Sequence, residues 1–232
     1  MIKAKVTEPA QKNPMTSAAS PLPHIHGPDD FAAAFAVPCE TVEKLQAYAA
    51  LLRRWQRVVN LVAPSSLSQI WHRHFADSAQ ILALAPDARR WIDLGSGAGF
   101  PGLVIAILLA NHEDRIVHLV ESNSRKCAFL SEVIRRTKAP AVIHAARIED
   151  VAREGRVGAA DVVTSRALAP LQTLLGLSCG FFGENTLGLF LKGREAGREI
   201  EDAAKHWRFE HRCIASRTSG EGRIVEIRKL IS

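Results

Sequence analysis

WIDLGSGAGFPG, residues 91–102, places four glycines, Gly95, Gly97, Gly99 and Gly102, directly behind a short apolar run. Two kinds of ligand use such a turn. GAGFPG alone satisfies the G-x-G-x-x-G loop of nicotinamide and flavin enzymes. The longer frame from Asp93 to Gly99 satisfies D-x-G-x-G-x-G, the loop of S-adenosylmethionine (SAM) methyltransferases. The physics is shared: a ligand must approach the backbone where a first strand gives way to a helix, so glycines line the turn. Unpaired N–H groups at the helix start attract an anion. An acidic residue closing the second strand takes ribose hydroxyls. Glu121 ends RIVHLVE, 19 residues after Gly102, and serves either frame.

From Trp91 onward, strand and helix alternate. WIDL, RIVHLVE (115–121), AVIHA (141–145), DVVTSRA (161–167) and TLGLFLKG (186–193) read as strands. PGLVIAILLA, Asn123–Thr137, residues 170–179 and a polar stretch at 195–206 read as helices. That alternation predicts a doubly wound, mostly parallel sheet. WRFEHRCI and GRIVEIRKLI then follow one another across the tight TSGEG, which predicts an antiparallel hairpin at the sheet edge. The fold expected is the α/β, Rossmann-like class I methyltransferase architecture: seven strands, a C-terminal hairpin and an N-terminal helical extension.

Three features favour the SAM frame. Asp93 stands two residues before Gly95, where a carboxylate faces a cationic amino-acid end. The sheet uses up the chain, leaving no separate domain for hydride-transfer chemistry. The hairpin ending suits a methyltransferase. A nicotinamide-dependent oxidoreductase, a SAM methyltransferase of another substrate and a binding module without turnover stay open as alternatives.

Composition bounds the rest. At 232 residues and 47% hydrophobic, the chain suits one buried domain with an extension. No apolar run approaches the ~20 residues of a membrane span. The N-terminus lacks signal- and transit-peptide patterns, so a cytoplasmic location is expected. Cys39, Cys127, Cys179 and Cys213 form no C-x-x-C, as expected of free thiols in a reducing compartment. The net charge of +6 lies wholly in residues 39–232, because Lys3, Lys5 and Lys12 offset Glu8, Asp29 and Asp30. A basic folded domain suits a polyanion such as nucleic acid.

Residues 1–38 hold six of the eleven prolines and are expected to be a disordered tail. Residues 39–90 read as the helical extension and 91–232 as the SAM-binding core. In the extension, Val42, Leu45, Ala49, Leu52 and Val59 recur at helical spacing, with Arg53, Arg54 and Arg57 opposite. A second helix is expected at about 66–84. His72, His74 and Asp77 suggest a metal, but His72 and His74 would point about 200° apart on a helix. No metal is expected.

The chain resembles the RsmG (GidB) family of bacterial 16S ribosomal RNA guanine-N7 methyltransferases. The resemblance is carried by NLV (60–62), HRHFADS (72–78), DLGSGAGFPG (93–102), LVESNSRKCAFL (119–130), ARIED (146–150), VVTSRA (162–167) and LKG (191–193), in order. It implies methyl transfer from SAM to N7 of the guanine conventionally numbered 527, in the 530 loop. The implied partners are 16S rRNA and the 30S subunit or its assembly intermediate, with the protein a monomer away from membranes. The resemblance also implies SAM contacts at Gly95, Phe100, Ile148, Glu149 and Arg166. Spacing adds Asp93, Gly97, Gly99 and Glu121. For RNA phosphates the candidates are Arg53, Arg54 and Arg57, a cationic cluster around Trp55, and Lys192 at the end of the fifth strand. Guanine N7 carries no proton, so no catalytic base is assigned.

Overall fold

A computed structural model describes residues 20–231. Its centre is a seven-stranded sheet in the order β3-β2-β1-β4-β5-β7-β6. β1 (Arg90–Leu94), β2 (Ile116–Val120), β3 (Ala141–His144), β4 (Val162–Arg166) and β5 (Leu187–Lys192) run parallel; β7 (Arg223–Ile231) is antiparallel to β5 and to β6 (Arg208–Ala215). The mostly parallel sheet with its C-terminal hairpin therefore stands as the sequence predicts. The central strands are buried on both faces, so they read as near-continuous apolar runs. Trp91 points into one core, while Ile92 and Leu94 point into the other.

The first face is covered by α1 (Pro28–Phe35), α2 (Cys39–Trp55), α4 (Gly102–Leu108) and α5 (Ser124–Thr137). Leu45, Tyr48 and Leu52 of α2 share one core with Leu103 and Val104 of α4 and Phe129 of α5. The N-terminal helices thus complete the sheet's own layer. On the second face lie α6 (Ile148–Arg153), α7 (Leu171–Ser178) and α8 (Ala196–Ala203). α5 starts at Asn123, whose side chain accepts from the Arg125 and Lys126 N–H groups, an N-cap.

Two expectations are corrected. Order does not wait for Pro38: α1 begins at Pro28, and Ile25 and Phe31 are fully buried. Proline-rich composition hid two large apolar anchors, which offset the ordering entropy. The remainder of the expected tail, residues 1–19, lies outside the described residues. The continuous helix expected at 66–84 is instead a 3-10 turn (Pro64–Gln69), a π turn (Trp71–Ala76), a three-residue α3 (Asp77–Ala79) and a further 3-10 turn (Gln80–Leu84). Arg166 donates into this stretch, at the Arg73 carbonyl, 3.0 Å away. Such departures from α-geometry gather at functional sites.

Candidate active site

The glycine loop is built over a buried carboxylate. β1 carries Asp93 into the interior, where Oδ2 accepts from the Gly102 N–H at 3.1 Å. A Cβ at Gly102 would lie 2.7 Å from Asp93 and 2.5 Å from Leu119, so the first turn of α4 can sit there only as glycine. Asp93 Oδ1 has no partner among the described residues. Burial pushes the carboxyl up to about 7, against the pull of the Gly102 hydrogen bond. Asp93 therefore lies beneath the loop rather than on the cleft wall.

Glu121 fastens the loop from the other side. Its Oε2 accepts from Gly97 N–H at 2.9 Å and its Oε1 from Asn123 N–H at 2.8 Å. Gly97 presents that N–H only because its φ is +58°, the left-handed region that side chains disfavour. A third support comes from α2: the Tyr48 hydroxyl donates to the Ala98 carbonyl. Burial raises the Tyr48 hydroxyl pKa well above its usual value, so it remains a donor. Sequence reading passed over Tyr48; its one signal was a sole tyrosine on an apolar helical face.

Arg166 leaves the carboxyl end of β4 as a clamp. Nη1 donates to Asp77 Oδ2 at 3.2 Å and Nη2 to His74 Nδ1 at 2.8 Å. The guanidinium lies 5.0 Å from the centre of the Phe100 ring, and the His74 ring stacks on that same ring at 4.8 Å. Asp77 is shared: its Oδ1 accepts from Gln80 at 2.9 Å and from Thr218 of the β6–β7 loop at 2.8 Å. His74 and Asp77 are thus joined through an arginine standing between them. No group of three or more metal-ligating side chains forms among the described residues.

These parts border a cleft of about 1450 Å³ across the carboxyl ends of β1, β4 and β5, where open α/β sheets hold ligands. Gly95, Gly97, Phe100, Arg166 and Lys192 all line it. Gly99 lies behind, against Tyr48 and Leu103. Ile148 is buried in the second core, and Glu149 is exposed in the first turn of α6; neither lines the cleft.

Lys192 is a correction. Its side chain is 8% exposed, and Nζ donates to the Ala169 carbonyl at 2.6 Å and to Glu199 at 2.7 Å. A buried ammonium needs such partners, so it is not a free cation for phosphate. Arg53, Arg54 and Arg57 are exposed at and just beyond the end of α2, outside the cleft lining.

Residues 41–224 match the family model described as GidB, rRNA small subunit methyltransferase G. The chain belongs to the GidB family. Two curated relatives carry the name ribosomal RNA small subunit methyltransferase G. The one from Parvibaculum lavamentivorans is 48% identical over 209 residues, covering 90% of this chain and 92% of its own. The one from Methylorubrum populi is 51% identical over 191 residues, covering 82% and 90%. Among solved structures, cofactor-bound Rv0187 from MTB superposes with a TM-score of 0.56 at 13% identity, covering 80% of this chain and 89% of that one. The ribosomal protein L11 methylase of Lactobacillus delbrueckii subsp. bulgaricus gives 0.50 at 14% identity, covering 65% and 75%. These two likenesses concern the fold alone, a Rossmann-like sheet with helices on both faces. No helix of the described residues is long and apolar enough to cross a membrane.

Proposed function

We propose that this GidB protein methylates 16S rRNA at N7 of guanine 527, in the 530 loop, with SAM as donor. The observation that carries the proposal is the glycine loop itself. It is bracketed by two carboxylates, Asp93 below and Glu121 beside, and it opens onto a cleft too large for one small ligand: ligand pockets usually measure about 300–1000 Å³.

The residues fit SAM. Glu121 stands at the end of β2, where its remaining lone pairs would accept ribose hydroxyls. Beneath the loop, Asp93 keeps Oδ1 without a partner among the described residues, an acceptor that a water bridging to a cationic amino end at the loop would satisfy. Phe100, stacked under His74, forms an apolar wall for the methionine chain. Ile148 and Glu149 are assigned to adenine by resemblance, and Gly95, Gly97 and Gly99 to the loop's close approach. When bound, SAM supplies a methyl group on a sulfonium, an electrophile that needs no further activation.

What remains for the chain is binding and orientation. Guanine N7 attacks through an in-plane lone pair and loses no proton, so the site requires no general base. His74 fits that requirement. Burial and the nearby Arg166 and Arg73 hold its pKa down to about 3, so it is a neutral packing group and not a proton carrier. Arg166, fixed at three points, holds its charge at the cleft wall without following the substrate. Outside the cleft, Arg53, Arg54 and Arg57 offer phosphates a flanking contact.

Calorimetry of the full chain with SAM and with NAD tests the donor. Labelled methyl transfer to 30S subunits lacking the modification tests the acceptor. Binding of NAD in place of SAM would support the oxidoreductase alternative. SAM binding without transfer to RNA would leave a methyltransferase of another substrate.

A further inference from the structure

Among the described residues six lysines and arginines line the cleft, and four are already engaged. Arg166 is held by Asp77 and His74, and Lys192 by Glu199. Arg194 pairs with Glu221 at 3.3 Å. The Arg223 guanidinium donates to the carbonyls of Gly220 and Gly222. Arg73 and Lys126 remain. Among the described residues neither side chain has a hydrogen bond or an ion pair, and both border the cleft.

Lys126 sits where the local structure opposes a cation. Lys126 is half-buried in the first turn of α5, beside Arg125 and with no acidic residue in that turn. The positive end of a helix disfavours a cation there by about 0.3–1 kcal/mol. Arg73 is exposed on the π turn, and its own carbonyl accepts from Arg166. Unpaired charge kept against a local preference belongs to a site that expects an anion. Glu195, also without an ion pair among the described residues, borders the cleft at its β5 end and repels phosphate from that side.

We propose that Arg73 and Lys126 grip the two phosphates flanking the target nucleotide as a single RNA strand crosses the cleft mouth. This rests on the ribosomal RNA function proposed above. A base methylated inside a pocket must leave its stack, while its phosphates stay at the rim. Lys126 follows β2, and Arg73 lies over Arg166 at the end of β4. Those strands are two steps apart, about 10 Å at ordinary interstrand spacing, near enough for two long side chains to converge on the phosphates either side of one nucleotide. Since Arg73 also holds Arg166 through its carbonyl, a phosphate on its side chain and the clamp at the cleft wall share one residue.

The test compares Arg73→Gln, Lys126→Gln and the double variant with Arg135→Gln as control. Arg135 is exposed on α5 and paired with Glu132, away from the cleft lining. Methylation of 30S subunits lacking the modification is followed across salt concentrations, and SAM affinity is measured by calorimetry without RNA. The double variant is expected to raise KM for the subunit at least tenfold. It should also flatten the log KM–log salt slope by about 1.4, two single-strand phosphate contacts. SAM affinity should stay within twofold, and Arg73→Lys with Lys126→Arg should recover most of the loss. A wild-type KM and salt slope in the double variant, with the wild type active, would overturn the proposal. If instead the wild type binds SAM but transfers nothing to RNA, the ribosomal function fails first and the proposal falls with it.

Discussion

Arg166 Nη2 donates to His74 Nδ1 at 2.8 Å, and this one hydrogen bond fixes the chemistry of both side chains. With Nδ1 accepting, the His74 proton sits on Nε2, which donates to Ser66 Oγ at 2.8 Å. Ser66 in turn donates to the Ala63 carbonyl at 2.7 Å. The chain of bonds runs from the end of β4 into the loop after α2, so the two halves of the cleft wall are one unit.

The first prediction concerns acid. His74 has a pKa of about 3 in the folded protein against 6.5 when unfolded. Between those values the unfolded chain binds the extra proton. The stabilisation is therefore complete above pH 6.5 and is lost as pH falls towards 3. His74→Gln keeps hydrogen-bonding capacity without titrating. The Tm gap between wild type and variant should narrow from pH 7 to pH 4; a gap independent of pH would contradict the lowered pKa of His74.

Arg166→Lys should fail at the site while the fold survives. A lysine cannot reach Asp77, His74 and the Arg73 carbonyl together. Turnover is expected to fall at least tenfold, with a Tm loss of a few degrees, because Asp77 keeps its bonds from Gln80 and Thr218. Near-wild-type activity, measured by labelled methyl transfer, would remove Arg166 from the site.

The glycine loop separates backbone need from mere composition. Gly97→Ala forces a left-handed residue, costing roughly 1–2 kcal/mol. Gly95→Ala adds a Cβ 2.6 Å from Leu168 at a φ of +67°. Both should weaken SAM binding severalfold in calorimetry. Gly197→Ala, in α8 with open space around it, should be neutral or stabilise by up to about 1 kcal/mol. Equal effects at all three would undo the account of the loop.

Lys192→Gln distinguishes a buried ion pair from a phosphate contact. Removing one partner leaves the partly exposed Glu199 carboxylate with the Leu171 N–H alone, a loss of about 1–3 kcal/mol. Stability to denaturant should drop, while the salt dependence of RNA methylation stays as in wild type. A variant of normal stability with a shallower salt slope would return Lys192 to the RNA surface.

How far the sequence spoke depended on the range of each interaction. The sheet was legible because its strands are buried on both faces and punctuated by Gly and Pro; the TSGEG turn even gave the hairpin. The turn at Gly97 and the carboxylate at the end of β2 were legible because a backbone turn needs those residue types at that spacing; that Asp93 would lie beneath the loop, bonded to the Gly102 N–H, was not. The Arg166 clamp was not: His74 and Asp77 lie 92 and 89 residues away in the chain, and only the fold brings them together. For the same reason Lys192 read as free until Glu199 and the Ala169 carbonyl were seen beside it. Ile25 and Phe31 were masked by the prolines around them, since composition averages over the two side chains that matter.

The most direct test of the central claim is a map of N7-methylguanine in 16S rRNA from cells with and without this gene, read by chemical cleavage at the modified base and primer extension. Loss of one signal in the 530 loop on deletion, and its return with wild type but not with Arg166→Lys, is the expected result. An unchanged 530-loop signal in the deletion strain would contradict it.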